Sequence, residues 1–162
     1  MKKLNVYIDG YNLYFGMRDA GFEHCKWLDV HALALLLKNA DHELNAVKYF
    51  TARISYNSEK GQRQSDYIDA LMTTPVELIY GQYRPENIEC YNCFHKFTYS
   101  KEKMTDVNIA THLIVDAYED NYDVAMIISG DSDLVPPIKA VRKIFPHKEV
   151  FVAFPQKGNR TK

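Results

Sequence analysis

The sequence predicts a three-layer α/β/α sandwich on a mainly parallel five-stranded sheet, and three observations carry that reading. Short runs rich in Val, Ile and aromatic residues recur at 4–9, 46–54, 76–83, 123–128 and 149–154. Stretches with apolar residues at helical spacing lie between most of them, at 27–38, 58–73, 106–118 and 132–144. Strands that alternate with helices in this way form parallel sheets with right-handed crossovers. Finally, Val124–Ile128 is apolar throughout, as expected of a strand covered on both faces.

Taken in order, the first strand, LNVYID, ends on Asp9, and Gly10-Tyr11-Asn12 reads as a turn before the aromatic stretch LYFG. The next helix, Trp27 to Lys38, places Val30, Leu33, Ala34 and Leu37 on one face. Strand two runs from Ala46 to Ile54. A helix from Ser58 to Thr73 then turns Ile68, Leu71 and Met72 inward, and Pro75 ends it because proline lacks the N–H a helix needs. Strand three covers Val76 to Tyr83.

Residues 84–101, RPENIECYNCFHKFTYSK, break the rhythm and read as an inserted loop or small hairpin. Asp106 to Tyr118 resumes it, with Ala110, Leu113, Ile114 and Ala117 on a shared face. The helix from Ser132 to Ile144 carries Pro136 and Pro137 in its first turns, where free N–H groups are not missed. Glu149 to Phe154 is strand five. One domain is expected over 1–155. The basic PQKGNRTK ending has no core pattern and reads as a flexible tail over 156–162.

At 162 residues with 46% hydrophobic and 25% charged content, the chain is a globular domain rather than a disordered one. Its formal net charge of −1 excludes a global basic field, so a nucleic-acid partner must be held by local patches or through a metal. No run approaches the ~20 apolar residues of a membrane span. Asn5 and Asp9 interrupt what would otherwise resemble a leader after Lys2 and Lys3, so a cytoplasmic protein is expected. Three cysteines, an odd number, argue against a disulfide scaffold. Cys90-x-x-Cys93 with His95 is half a zinc set without an evident fourth ligand, and His24 or Cys25 would serve only if the fold brought them near. A plain loop with reduced thiols is the reading taken.

The chemistry concentrates in carboxylates. Parallel strands one and four end on the same edge, so Asp9 shares a rim with Asp131 and Asp133, which follow the Ser129-Gly130 turn. Asp106 begins a helix that enters from that edge. A single acid there is explained by helix capping, for which Asp131 or Ser132 would suffice. Two unit charges ~4 Å apart repel by about 4 kcal/mol at an effective dielectric of ~20, so four acids together need protons or a divalent cation. Oxygen ligands without His or Cys at metal spacing favour Mg²⁺ or Mn²⁺ over zinc. Neither a phosphate-binding Gly-rich loop of the G-x-x-x-x-G-K-[ST] type nor a G-x-S-x-G nucleophile elbow is present.

Arg53, Tyr56, Lys60 and Arg63 follow strand two on the rim side and read either as an RNA strip or as a solvated face. Tyr11 and Tyr14 stand next to Asp9, as base-stacking residues or as core. His112 reads as a partly buried helix residue. Lys139, Arg142 and Lys143 read as the wet side of their helix.

These segments carry a resemblance. VYIDGYNLYF, EKMTDVNIATHLIVDAY and IISGDSDLVPPIKAVRK, in that order over nearly the whole chain, resemble the three signature segments of the NYN domain family. Within that family they look like the bacterial LabA-like branch. The resemblance implies a PIN-like, Rossmann-like fold and a Mg²⁺- or Mn²⁺-dependent ribonuclease. It implies metal-binding acids at Asp9, Asp106 and Asp131 with Asp133 as a fourth, supporting roles for Asn12 and Ser129, and a phosphate-neutralising Lys103. Met104-Thr105 stands where the family has a small, glycine-like position before the middle acid, and the chain stops soon after strand five, as a short member or a fragment would.

The expected function is metal-dependent endonucleolytic cleavage of RNA, with RNA as partner, no membrane, and a homo-oligomer left open. The alternatives are a catalytically silent RNA-binding or regulatory module of the same fold, and a phosphatase acting on a small molecule in a closed pocket.

Overall fold

The computed structural model describes residues 1–53 and 59–155. Its elements are β1 (Lys2–Asp9), α1 (Gly10–Asp19), α2 (Val30–Leu37), β2 (His42–Thr51), α3 (Glu59–Leu71), β3 (Val76–Tyr80), β4 (Gln82–Glu89), β5 (Lys96–Lys103), α4 (Thr105–Tyr118), β6 (Val124–Ile128), α5 (Val135–Ile144) and β7 (Glu149–Ala153). The central sheet has the order β3-β2-β1-β6-β7, and every pairing in it is parallel. Strands β4 and β5 form a separate antiparallel hairpin.

This order places β1 in the middle. From β1 the chain winds outward through β2 and β3, then returns to the other side of β1 for β6 and β7. The winding direction therefore reverses between β1 and β6. Loops leaving neighbouring strands in opposite directions open a crevice at such a switch point, beyond the carboxyl ends of the strands. Ile8 pairs with Ile128, so Asp9 and Ser129 emerge side by side at that crevice.

Alternation along β1 divides the core in two, since successive side chains point to opposite faces. Leu4, Val6 and Ile8 pack with Leu13, Val30, Ala34 and Leu71 on the face covered by α1, α2 and α3. Tyr7 joins Ile109, Leu113, Ile138 and Val141 on the face covered by α4 and α5. Each fully buried Leu or Ile contributes about 1.5–3 kcal/mol by leaving water. Both faces are covered, which is why the strands read as continuous apolar runs.

Several boundaries differ from the sequence reading. Residues 10–19 are a helix where a turn and an aromatic stretch were expected. Asp9 caps this helix, and its buried face is carried by Gly10, Leu13 and Gly16. Two of those positions are glycines, invisible to a search for apolar spacing. A Cβ on Gly10 would lie 2.6 Å from the Tyr49 ring and 2.8 Å from the Phe50 carbonyl, so the helix can start against β2 only with glycine. Helix α2 starts at Val30, because Asp29 accepts from the His31 and Ala32 amides and caps it there. Strand β3 stops at Tyr80 rather than Tyr83. At Gly81 the chain passes so close to β5 that a Cβ would meet the Lys103 carbonyl at 2.7 Å. The hairpin therefore takes Gln82 onward, beyond the 84–101 insert read from sequence. Ser132–Leu134 is a 3₁₀ turn, and α5 proper begins at Val135. Strand β2 runs His42–Thr51 rather than Ala46 to Ile54; Ile54 itself, the expected helix start at Ser58 and the tail over 156–162 lie outside the described residues.

An acidic rim at the switch point

Asp9 closes β1 and caps α1 with the same carboxylate. Its Oδ1 accepts from the Asn12 amide at 3.0 Å. Its Oδ2 accepts from Asn12 Nδ2 at 2.9 Å and from the Ser129 hydroxyl at 3.0 Å. Asp9 is only 3% exposed, and these donors hold it in one orientation. Asn12 also ties the two strand ends together, since its Oδ1 accepts from the Gly130 amide at 3.0 Å.

On the β6 side, the Asp131 amide donates to Ser129 Oγ at 3.1 Å, and Asp131 Oδ1 caps the 3₁₀ turn by accepting from the Asp133 amide at 2.9 Å. The capping role foreseen for Asp131 is thus present. It accounts for one oxygen of one acid, not for the rest of the rim.

Asp106 stands in the first turn of α4, half-buried. Burial, then the charges of Asp131, Asp9 and Asp133, push its carboxyl up to about 6. The same rim contains Glu102, at the end of β5, which burial and the charges of Asp9 and Asp106 push up to about 7. The Thr105 hydroxyl donates to Glu102. No cation is among the groups that shift either acid. Met104, between them, adopts a left-handed φ of +80°, a conformation that favours glycine and turns the chain from β5 into α4.

The sequence reading gave Glu102 no role in the acid set. Its signal was available: an acid four residues before Asp106, on the approach to the same helix. What was missing was the hairpin that swings it back over the strand ends. Tyr83 is the other omission. It pairs with Glu102 across the hairpin, and its hydroxyl meets that of Tyr11.

The candidate RNA contacts divide. The Tyr11 hydroxyl is committed to the Ala52 carbonyl at 3.1 Å, to Gln64 and to Tyr83, and burial keeps it protonated. Tyr14 is exposed beside Phe15. The Arg53 guanidinium lies over the Tyr80 ring, 5.3 Å from its centroid, and faces a cleft of about 280 Å³ formed with Gly81, Gln82 and Tyr83. Arg63 pairs with Glu59 on the outer side of α3 at 3.6 Å, and Lys103 pairs with Glu86 on the hairpin at 2.9 Å. Tyr56 and the Lys60 side chain lie outside the described residues. His112 is half-buried, with Nδ1 3.3 Å from Lys48 Nζ.

The donor set suits a hard divalent cation. It consists of carboxylates, with hydroxyl and amide groups behind them, and it is short of positive charge. The acids are near enough to repel, yet among the described residues no three Asp, Glu, His or Cys side chains form a closed metal-binding group.

Comparison with known proteins gives three findings. The NYN domain model matches residues 3–161. The chain is 29% identical over 178 residues to the 6-hydroxy-3-succinoylpyridine 3-monooxygenase HspA of Pseudomonas putida, a match that covers 86% of this chain and 55% of that protein. The chain thus spans about half the length of that relative. A crystal structure of VPA0982, a protein of unknown function from Vibrio parahaemolyticus, superposes with a TM-score of 0.60 at 22% identity, covering 99% of this chain and 86% of that one. That similarity establishes a shared fold.

Proposed function

This chain belongs to the NYN domain family, a nuclease-like group, and from that premise we propose that it is a metal-dependent endoribonuclease. One observation carries the reading. Asp9, Asp106, Asp131 and Asp133 come from three separate parts of the chain to one rim at the switch point, and the charges that bear on Asp106 there are those of the other three acids.

In this proposal those carboxylates, with Glu102, hold one or two Mg²⁺ or Mn²⁺ ions. When bound, such an ion supplies Lewis-acid polarisation of the phosphate and a water acidic enough to attack at neutral pH. The protein's own residues do the positioning. Asn12 and Ser129 hold the Asp9 carboxylate in one rotamer, and outer groups of this kind are worth about 10–100-fold in metal affinity or activity. Gly130 gives the backbone room to turn beside Asn12, where an added Cβ would meet Asn12 Oδ1 at 3.3 Å. Arg53, just beyond the carboxyl end of β2, is the proposed phosphate or base contact, and Tyr14, exposed on α1, the proposed stacking surface. The open edge suits a polymer better than a small phosphate ester.

The monooxygenase name of the Pseudomonas relative supports a second reading, oxygenation of a small aromatic, at the level of a distant match over part of that protein. A silent RNA-binding module is the third, and it gives no reason to keep acids that repel. The deciding assay incubates the purified chain with labelled single-stranded and structured RNAs in Mg²⁺, Mn²⁺ or EDTA. Cleavage in metal and its loss in Asp9→Asn support the ribonuclease. Binding without cleavage supports the silent module, and oxygen uptake with a pyridine substrate and a reductant supports the oxygenase.

A further inference from the structure

The far end of the β4–β5 hairpin is not used by the rim. β4 and β5 pair chiefly with each other, and between them the chain turns through Cys90-Tyr91-Asn92-Cys93-Phe94-His95. The Cys90 amide donates to the His95 carbonyl at 3.0 Å, and the Phe94 amide donates to the Cys90 carbonyl at 2.8 Å. Phe94 takes a left-handed φ of +55°, which reverses the chain immediately after Cys93.

The effect is to hold Cys90 and Cys93 within one tight turn. Both cysteines are free, with Cys93 exposed and Cys90 half-buried.

A second, independent observation concerns the side chains around them. Tyr91 is 96% exposed and Phe94 72% exposed, at the tip of a projecting hairpin. Two large aromatic side chains within one turn give the tip apolar surface that a second copy can cover.

Zinc fixes the number of copies. A structural zinc site is four-coordinate, and thiolates select it over the hard ions suited to carboxylates. Each tip offers two thiols. Among the described residues no third Cys, His, Asp or Glu completes a group with them, and that includes both His95 and Cys25. We propose that Cys90 and Cys93 of two copies bind one zinc ion in a shared tetrathiolate site. The two hairpins then meet tip to tip about a two-fold axis, with Tyr91 and Phe94 covered between them. An isologous contact of this kind uses the same patch on both chains and closes at the dimer. The four thiols lose their protons as the ion binds, so assembly is favoured as pH rises. The site lies at the opposite end of the hairpin from Glu102 and differs in chemistry from the acids of the rim, so it stands whether or not the rim cuts RNA.

The test uses the whole chain, reduced and stripped with EDTA, then titrated with zinc or cobalt. Native mass spectrometry and light scattering should give one ion for every two chains, a dimer in zinc and a monomer after EDTA. Cobalt should show thiolate-to-metal charge-transfer absorption, which oxygen ligands of the rim cannot produce. The Cys90→Ser/Cys93→Ser chain should lose both the dimer and that absorption. A measurement on the unaltered chain guards against misfolding of the variant: zinc should slow alkylation of Cys90 and Cys93 while leaving Cys25 unaffected. One zinc per monomeric chain, a dimer indifferent to zinc, or zinc binding without thiol protection would each overturn the proposal.

Discussion

Helix α4 carries two acids with opposite surroundings. Asp106 lies in its first turn and Asp116 in its last. A helix N-terminus favours a negative charge and a C-terminus disfavours one, by about 0.3–1 kcal/mol each. The dipole alone would therefore favour a charged Asp106 over a charged Asp116. The structure reverses this. Burial works to raise Asp116, but hydrogen bonds from Lys48 Nζ and the Tyr7 hydroxyl, both at 2.7 Å, hold it below the usual carboxylate range. Asp106, facing Asp131, Asp9 and Asp133, is pushed up to about 6. Neighbours outweigh the dipole at both ends. A buried acid with its cation in place is a structural element, whereas acids facing acids are held only at the cost of a raised proton affinity.

The largest effect expected from that contrast is on stability. Asp116→Ala leaves Lys48 buried without its closest counter-charge and should cost about 3–5 kcal/mol in urea denaturation. Asp106→Asn should leave the metal-free protein as stable as before or more so. Equal losses at the two positions would erase the distinction between them.

Activity should sort the acids the other way. Asp9→Asn should lower metal-dependent RNA cleavage by about a hundredfold or more, since charge stabilisation at the reacting centre is lost. An unchanged rate in Asp9→Asn would assign the cleavage to another site.

The pH dependence follows from the same shifts. Asp106 and Glu102 have folded values raised to about 6 and about 7, so the native state binds more protons than the unfolded chain between roughly pH 4 and pH 7. Their contribution is therefore fully present below the unfolded values and lost as pH rises through the folded ones. Asp116, held low, contributes above its unfolded value and loses that contribution on acidification. In EDTA, the melting temperature of the parent relative to Asp106→Asn/Glu102→Gln should fall from pH 5 to pH 8. Added Mn²⁺ should restore it at the upper end, by about 2.7 kcal/mol at a hundred times the dissociation constant. A pH-independent difference would show that the rim acids do not repel.

The smallest effects belong to the cations. Arg63 pairs with Glu59 on an exposed face, so Arg63→Ala should change stability by at most about 0.5 kcal/mol. Arg53→Ala should weaken RNA binding and reduce its salt dependence by about one unit of slope, with the remaining cleavage still metal-dependent. Salt dependence untouched in both variants would move the RNA path elsewhere.

The sequence by itself determined the strand runs, because a sheet covered on both faces must be apolar throughout. It also displayed the acids at strand ends, because SGDSD and YIDG interrupt those runs abruptly. It did not display α1, whose buried face is glycine at two of its three positions, nor the part played by Glu102, which depends on a hairpin folding back over the rim. It could not separate Asp106 from Asp116. Both are aspartates of one amphipathic helix, and nothing local distinguishes the one that meets a lysine from the one that meets carboxylates. Only the tertiary structure decided that. Lys48 reaches Asp116 from β2, while the acids around Asp106 come from β1, β5 and the loop after β6. Charge is a property of the residue, but its cost is set by neighbours that the strand order, not the sequence distance, brings near.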